Sequence, residues 1–254
     1  MTRASHRDVA STAIIRRRKE TAISEPPSHT AVRARTIAID GPAASGKSIV
    51  GATVAARLGF RFFDTGAMYR ALTWHALQRG IDPHDETGLA QLAAAAAVDV
   101  REGPSGATES THVNIDGEDA TPHLRDPAVE VSVSLVSRVP GVRAALVRIQ
   151  RALAANGRVV MAGRDIGTVV LPDADLKVYL DASREVRARR RADQLRAANI
   201  EPDYDSLMRD LARRDGIDST RAASPLTAAP EAVIINTDSM TVERVVECII
   251  EEAM

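Results

Sequence analysis

Thr36-Ile37-Ala38-Ile39, followed by Gly41-Pro42-Ala43-Ala44-Ser45-Gly46-Lys47-Ser48, constrains this chain more than any other stretch. The first four residues form a short, apolar, largely β-branched run, the pattern of a strand buried in a parallel sheet. The next eight fit G-x-x-x-x-G-K-[ST] without a mismatch. Val50, Val54, Ala55 and Leu58 then recur at helical spacing, and Gly59 is placed to close the helix. Phosphate oxygens need many donors in a small volume, and a strand feeding a glycine loop that opens a helix supplies them. Gly41 and Gly46 let backbone N–H groups crowd inward, the helix N-terminus adds its dipole, and Lys47 adds a mobile cation. The alternative is an ordinary glycine-rich turn. Four fixed positions match by chance on the order of once in a thousand such chains, which favours a phosphate site. Lysine is also scarce: Lys19, Lys47 and Lys177 are the only lysines among 33 Lys and Arg residues.

With 254 residues the chain is long enough for one large domain or a core with small insertions. Its net charge of −1 provides no global field toward nucleic acid or anionic membranes, so selectivity for polyanions must come from local arginines. Cys248 is the single cysteine, which excludes internal disulfides and thiolate-rich metal sites and suits a reducing cytoplasm. The six histidines show no zinc-binding spacing. The longest apolar run, Leu92 to Val98, is mostly alanine and far short of a membrane span. The expectation is a cytoplasmic protein without a nucleic acid polymer or a membrane as partner.

Residues 1–35 stand apart. They carry Arg16-Arg17-Arg18-Lys19 and Pro26-Pro27 with little apolar periodicity, and read as a basic, disordered extension rather than a targeting arm. After the phosphate motif, Phe60 to Phe63 reads as a second strand ending at Asp64-Thr65-Gly66-Ala67-Met68-Tyr69-Arg70, with a helix from Met68 to Gln78. A polar cluster beside a glycine at a strand end is where open α/β sheets bind ligands. Met68 and Trp74 are expected in the core, and His75 in packing or at the surface, since no partner is visible. An alanine-rich helix spans 86–98. Val98 to Arg101 and His112 to Gly117 alternate and read as a small antiparallel insertion.

From Pro127 to Ala155 the pattern is helical, with a break at Pro140-Gly141. Gly157 to Ala162 is a third strand, ending in Gly163-Arg164-Asp165-Ile166-Gly167-Thr168, and Leu176 to Leu180 a fourth, ending at Asp181. Ser183 can cap a helix through Arg187 and Arg190-Arg191. A helix over 204–214 precedes a charge-alternating segment, Arg213 to Arg221. Val233 to Thr237 is the last strand and Val242 to Ala253 the closing amphipathic helix. Five strands alternating with helices predict a parallel sheet covered on both faces.

The motif alone does not separate a GTPase, a motor ATPase and a small-molecule kinase. No guanine-reading N-K-x-D segment is present, and no long apolar strand ends in Asp-Glu at useful spacing. Arginines are spread over several loops instead: Arg70, Arg143, Arg164, Arg187, Arg190, Arg191, Arg214 and Arg221. A kinase acting on a second phosphorylated molecule needs such a set, to hold the acceptor phosphate and neutralise charge on the transferring group. Bidentate forks suit both tasks, while any one arginine of the 184–191 cluster serves equally well as a surface ion pair.

IAIDGPAASGKS, DTGAMYR, VRAALVRIQR, GRDIGTVVLPDADLKVYLDAS and RRDGIDSTRAASPL, in this order, resemble the bacterial cytidylate kinases, of the nucleoside monophosphate kinase group, from about residue 36 to 250. The resemblance implies an α/β P-loop kinase fold, with a central parallel β-sheet covered by helices. The kinase domain would be 36–254, with a small monophosphate-binding insertion at about 98–130 and a helical lid at about 182–200. It implies transfer of the ATP γ-phosphate to CMP or dCMP by a monomer, with Mg2+ arriving on ATP and Ser48 as its protein ligand. Gly41, Pro42, Ala43, Ala44, Ser45, Gly46, Lys47, Ser48 and Ile49 would wrap the ATP phosphates. Thr65 and Arg70 would meet the acceptor, Arg70 on its phosphate. Ser134, Arg164 and Asp165 would read the cytosine or its surroundings, with Arg143 at the acceptor phosphate region. Arg214 and Asp218 would lie at the sugar and Arg221 near the phosphates. Lys47, Arg164, Arg187 and Arg190 would be catalytic, the last two on the lid.

This chain carries Ile49 where the family usually has Thr or Ser, which removes one hydroxyl contact to ATP, although Ser48 supplies a hydroxyl one position earlier. Thr65 replaces a frequent Ser and keeps the hydroxyl. Two other readings share the phosphate motif: a non-catalytic nucleotide-binding regulator, and a kinase for another acceptor such as UMP, thymidylate or shikimate. The first would lack several of the acceptor arginines, and the second the GRDIGTVV and RAASPL segments.

Overall fold

The computed structural model describes residues 32–103 and 109–254, together with the backbone of β1 (Ile14–Ile15). The rest of the basic extension lies outside the described residues. The apolar run of the phosphate motif forms β2 (Thr36–Asp40), the middle one of the five parallel strands of the sheet. It pairs in parallel with β7 (Val159–Gly163) on one side and β8 (Leu176–Asp181) on the other. Outside these lie β3 (Arg61–Asp64), parallel to β7, and β9 (Val233–Asn236), parallel to β8. The sheet order is β1-β9-β8-β2-β7-β3, with β1 antiparallel on the outer edge of β9.

Alternation along each strand divides the core into two layers. Ala38, Phe63, Val159 and Met161 face Met68 and Leu72 of α2 (Thr65–Gln78), Val133 and Val136 of α4 (Pro127–Ser137), and Leu146 of α5 (Pro140–Ala154). On the other face Ile37, Ile39, Val160 and Val178 meet Val50 and Val54 of α1 (Lys47–Leu58) and Val246 and Ile249 of α8 (Val242–Ala253). Fully burying one such side chain contributes ~1.5–3 kcal/mol, so β2, lined on both faces, is firmly seated. This is the two-sided burial that a non-alternating strand pattern predicts.

The alanine-rich segment forms α3 (Glu86–Ala95). A second, antiparallel sheet of β4 (Val98–Glu102), β5 (Thr111–Ile115) and β6 (Glu118–Asp119) sits at the edge of the main one. The backbone N–H of Phe62 donates to Glu102 Oε1 at 3.1 Å and that of Asp64 to Thr111 Oγ1 at 2.9 Å. Side chains of the small sheet thus satisfy donors that β3, as an edge strand, would otherwise leave unpaired.

The chain completes its helices with α6 (Arg184–Ala197), capped by Ser183, and α7 (Tyr204–Thr220). Three expectations change. The Asp64 to Arg70 cluster is not a loop before a helix at Met68: α2 starts at Thr65, because Asp64 Oδ1 accepts from Gly66 N–H at 2.9 Å and caps it. The charge-alternating segment after residue 214 is helical, and α7 runs unbroken to Thr220. Its charges meet at helical spacing, as in Asp210–Arg213 at 2.6 Å and Asp218–Arg221 at 3.9 Å. His75 is buried, as its packing reading expects, but it has the partner that the sequence does not reveal, Asp116, 3.1 Å from its Nε2. Met68 and Trp74 lie in the core as expected.

Candidate active site

Strand register sets Asp40 beside Gly163 and Asp64 beside Ala162, at the C-terminal ends of β2, β7 and β3. In an open parallel sheet this edge is where ligands bind. The glycine loop leaves β2 there. Gly41 and Gly46 both take positive φ, +150° and +95°, and Gly46 is the residue on which α1 opens. Lys47 is buried: its Nζ donates to the carbonyl of Pro42 at 2.6 Å and to Ser45 Oγ at 3.2 Å. Burial, with Arg164 nearby, pushes the ammonium below its ordinary pKa, against the pull of Asp64, Asp40 and Asp218.

A cleft of about 1450 Å³ runs from this loop toward α4, α6 and α7. A single small-molecule site usually takes ~300–1,000 Å³, so the cleft has room for two nucleotides end to end. At the loop end its wall is Ala43 to Ile49, together with Arg190 and Thr237. Ile49 is 58% exposed on the rim. Gly41 and Pro42 shape the loop from behind and are not part of the wall. Arg190 donates to Thr237 Oγ1 at 3.0 Å and the Thr237 carbonyl at 2.6 Å, and reaches the Ser45 carbonyl at 3.4 Å.

The other end gathers Thr65, Arg70, Ser134, Arg143, Arg164, Asp165, Arg214, Asp218 and Arg221, residues from four helices and one strand end. They form a lattice of alternating charge. Arg143 pairs with Asp165 Oδ2, and Arg221 lies 3.7 Å from Asp165 Oδ1 and 3.9 Å from Asp218 Oδ1. Arg164 Nε donates to Asp218 Oδ2 at 3.0 Å. Arg143 also stacks over the ring of Tyr69, whose hydroxyl pKa is pushed up to about 12 by burial. Thr65 Oγ1 donates to the Ala162 carbonyl at 2.9 Å, which ties the first turn of α2 to β7. Cations embedded beside fixed carboxylates at a strand edge can hold a polyanion in one orientation.

Besides Gly41 and Pro42, the structure places one more residue of the expected set outside the cleft wall. Arg187 does not line the cleft. It is buried under the loop, where its Nη1 donates to the Ala43 carbonyl at 3.1 Å and its Nη2 to Asp215 Oδ2 at 2.6 Å. Four residues that the sequence reading left without a role stand in or behind the site. Asp40 accepts from the N–H groups of Ile166 and Gly167, both at 2.7 Å, and fixes the short π-helical turn after β7. Burial pushes its carboxyl up to about 6 against those two bonds. Asp64 Oδ2 accepts from Ser48 Oγ at 2.5 Å. Burial works against its charge, but Arg70 and the Ser48 bond hold its pKa below the ordinary range. Glu130 and Arg125 line the cleft beside Arg70. Asp40 and Asp64 could have been found as acids at strand ends. Glu130 lies in the first turn of α4, where an acidic residue is ordinary and signals nothing further.

A phosphate loop on the middle strand of a five-stranded parallel sheet, facing an arginine-rich second half-site, defines a P-loop kinase. The sequence profile described as cytidylate kinase matches residues 37–254. The chain belongs to the cytidylate kinase family. Cytidylate kinase of Pelotomaculum thermopropionicum is 50% identical over 214 residues, covering 84% of this chain and 93% of that one. The cytidylate kinase of Geobacillus kaustophilus is 49% identical over 216 residues (85% and 95%), and that of Mycolicibacterium paratuberculosis 47% over 212 (83% and 91%). Among the described residues no helix is long and apolar enough to cross a membrane.

Proposed function

We propose that the chain transfers the γ-phosphate of ATP to CMP or dCMP, with ATP on the loop end of the cleft and the acceptor on its arginine end. The observation that carries this division is the continuity of the cleft between Lys47 and the Arg164–Asp218 pair. Lys47 leaves the Pro42 carbonyl to meet the β- and γ-phosphates, and Arg190, already beside the Ser45 carbonyl, meets them from the α6 side. Arg70 takes the acceptor phosphate, with Arg143 and Arg221 next to it, and Arg214 and Asp218 take the sugar. Arg164, Asp165 and Ser134 read the base, where a carboxylate is the partner that cytosine's 4-amino group needs and uracil lacks. Arg187 acts by positioning: it holds the loop carbonyl and binds α6 to Asp215 of α7, so that α6 closes over the reaction as one unit with the loop.

The acceptor oxygen is already anionic, so the protein has no general base to supply. Its work is alignment and neutralisation of charge that spreads over the transferring group. Ser48 and Asp64 fit a Mg2+ ion, since both present oxygen, their side chains adjoin at the mouth of the loop, and Asp64 is held ionised. When bound with ATP the metal would neutralise charge on the phosphates. The single, buried Cys248 suits the cytoplasm. A coupled assay of ADP release across CMP, dCMP, UMP and shikimate tests the reading. We expect turnover with CMP and dCMP at least tenfold above the others; equal turnover with UMP overturns the base reading, and none with any acceptor leaves a nucleotide-binding regulator.

A further inference from the structure

Glu130 has no part in the reaction just described, yet its carboxylate stands in the densest cation cluster of the cleft. Oε1 accepts from Arg70 Nε at 3.0 Å and lies 3.6 Å from Arg125 Nη1. Oε2 accepts from Arg214 Nη1 at 3.1 Å and lies 4.0 Å from Arg191 Nη2. The four guanidiniums come from α2, the segment before α4, α6 and α7, and all five side chains line the cleft. Burial disfavours the charge on Glu130, but Arg70, Arg214, Arg125 and Arg191 together draw its pKa down to about 2. The arginines also crowd one another: burial lowers the pKa of Arg214, and Arg70 and Arg164 add to that while Glu130 opposes it.

Each oxygen of this carboxylate thus takes one acceptor-side arginine, the same contact that a phosphate oxygen makes with a guanidinium. We propose that Glu130 is a resident counter-ion of the acceptor-phosphate subsite, which holds Arg70, and Arg214 beside it, in place until the incoming phosphate displaces it from Arg70. The inference rests on the assignment of Arg70 to the acceptor phosphate. It gives Glu130 a role in setting how tightly the subsite holds any phosphate. A nucleoside monophosphate that displaces the carboxylate also gains contacts to its base and sugar, whereas free inorganic phosphate gains nothing further. The carboxylate therefore weakens both by the same factor, and it keeps the subsite free of inorganic phosphate at concentrations where the nucleotide, with its base and sugar contacts, still binds.

The test is Glu130→Gln, which keeps shape and removes charge, with steady-state kinetics for CMP and inhibition by inorganic phosphate. We expect the phosphate Ki and the CMP KM both to fall, by similar factors of about tenfold. A structural clamp would behave oppositely, with KM rising as the arginines splay, and that result overturns the proposal, as does an unchanged phosphate Ki. If Glu130→Gln does not fold by thermal melting, Glu130→Asp decides. Its shortened reach should lower the phosphate Ki by a smaller factor, and an unchanged or higher Ki overturns the proposal. Arg70→Ala separates the two layers of inference. If it leaves the CMP KM intact, the assignment of Arg70 fails; if it raises that KM tenfold while Glu130→Gln leaves phosphate inhibition unchanged, only the counter-ion fails.

Discussion

Lys47 and Arg164 are the two residues whose surroundings say most about their work. Lys47 is held against its own loop, by Pro42 and Ser45, in a position from which a short movement of the side chain reaches a bound phosphate. Lys47→Ala should lower kcat at least a hundredfold while the melting temperature stays within a few degrees, because the hydrogen bonds removed lie within one loop. Phosphoryl transfer near the parent rate would sink the donor-site assignment. Arg164 is linked to Asp218, at the end of the cleft proposed for the acceptor. Arg164→Ala should raise the KM for CMP about tenfold and leave that for ATP within twofold; equal losses would remove its acceptor role. Both were legible in the sequence, Lys47 from a contiguous motif and Arg164 from its place beside glycine at a strand end. Glu130 was not, since its partners Arg70 and Arg214 lie 60 and 84 residues away in the chain.

Among the elements, the junction of β2 with the loop tolerates the least change. A Cβ added at Gly41 would lie 2.2 Å from the Leu180 carbonyl oxygen of β8, at a φ of +150° that side chains rarely adopt. Gly41→Ala should therefore destabilise the fold by ~2 kcal/mol or more, read from the midpoint of denaturant unfolding, since the contact is with backbone rather than a movable side chain. Unfolding like the parent would mean that β2 and β8 can part at this end. The strand, the loop and the helix were each visible in the sequence because they follow from short-range patterns. The first turn of α2 was not, although its capping residue, Asp64, was in plain view: the polar DTG cluster reads as a loop until the cap bond to Gly66 is seen. The second half of α7 was hidden likewise, since its charges make sense only once they are paired along a helix.

At the scale of the whole molecule, the cleft joins the loop end to the arginine end without a partition. An analogue that links adenosine and cytidine through a phosphate chain should bind at least a hundredfold more tightly than ATP or CMP alone, measured by calorimetry. Affinity no better than that of the tighter single nucleotide would mean that the two ends are not spanned together. The sequence by itself determined that a strand, a glycine loop and a helix form a phosphate site, and that an arginine-rich kinase surrounds it. These are contiguous features, and local sterics and burial suffice to produce them. Only the tertiary structure decided which cations meet. Arg187 and Arg190 lie one helical turn apart on α6, yet the first is buried under the loop and the second lines the cleft beside Thr237. Likewise, four arginines converge on Glu130 only because α2, the segment before α4, α6 and α7 are all brought to the same edge of the parallel sheet. Strand order and crossovers set that convergence, and no single stretch of the chain contains them.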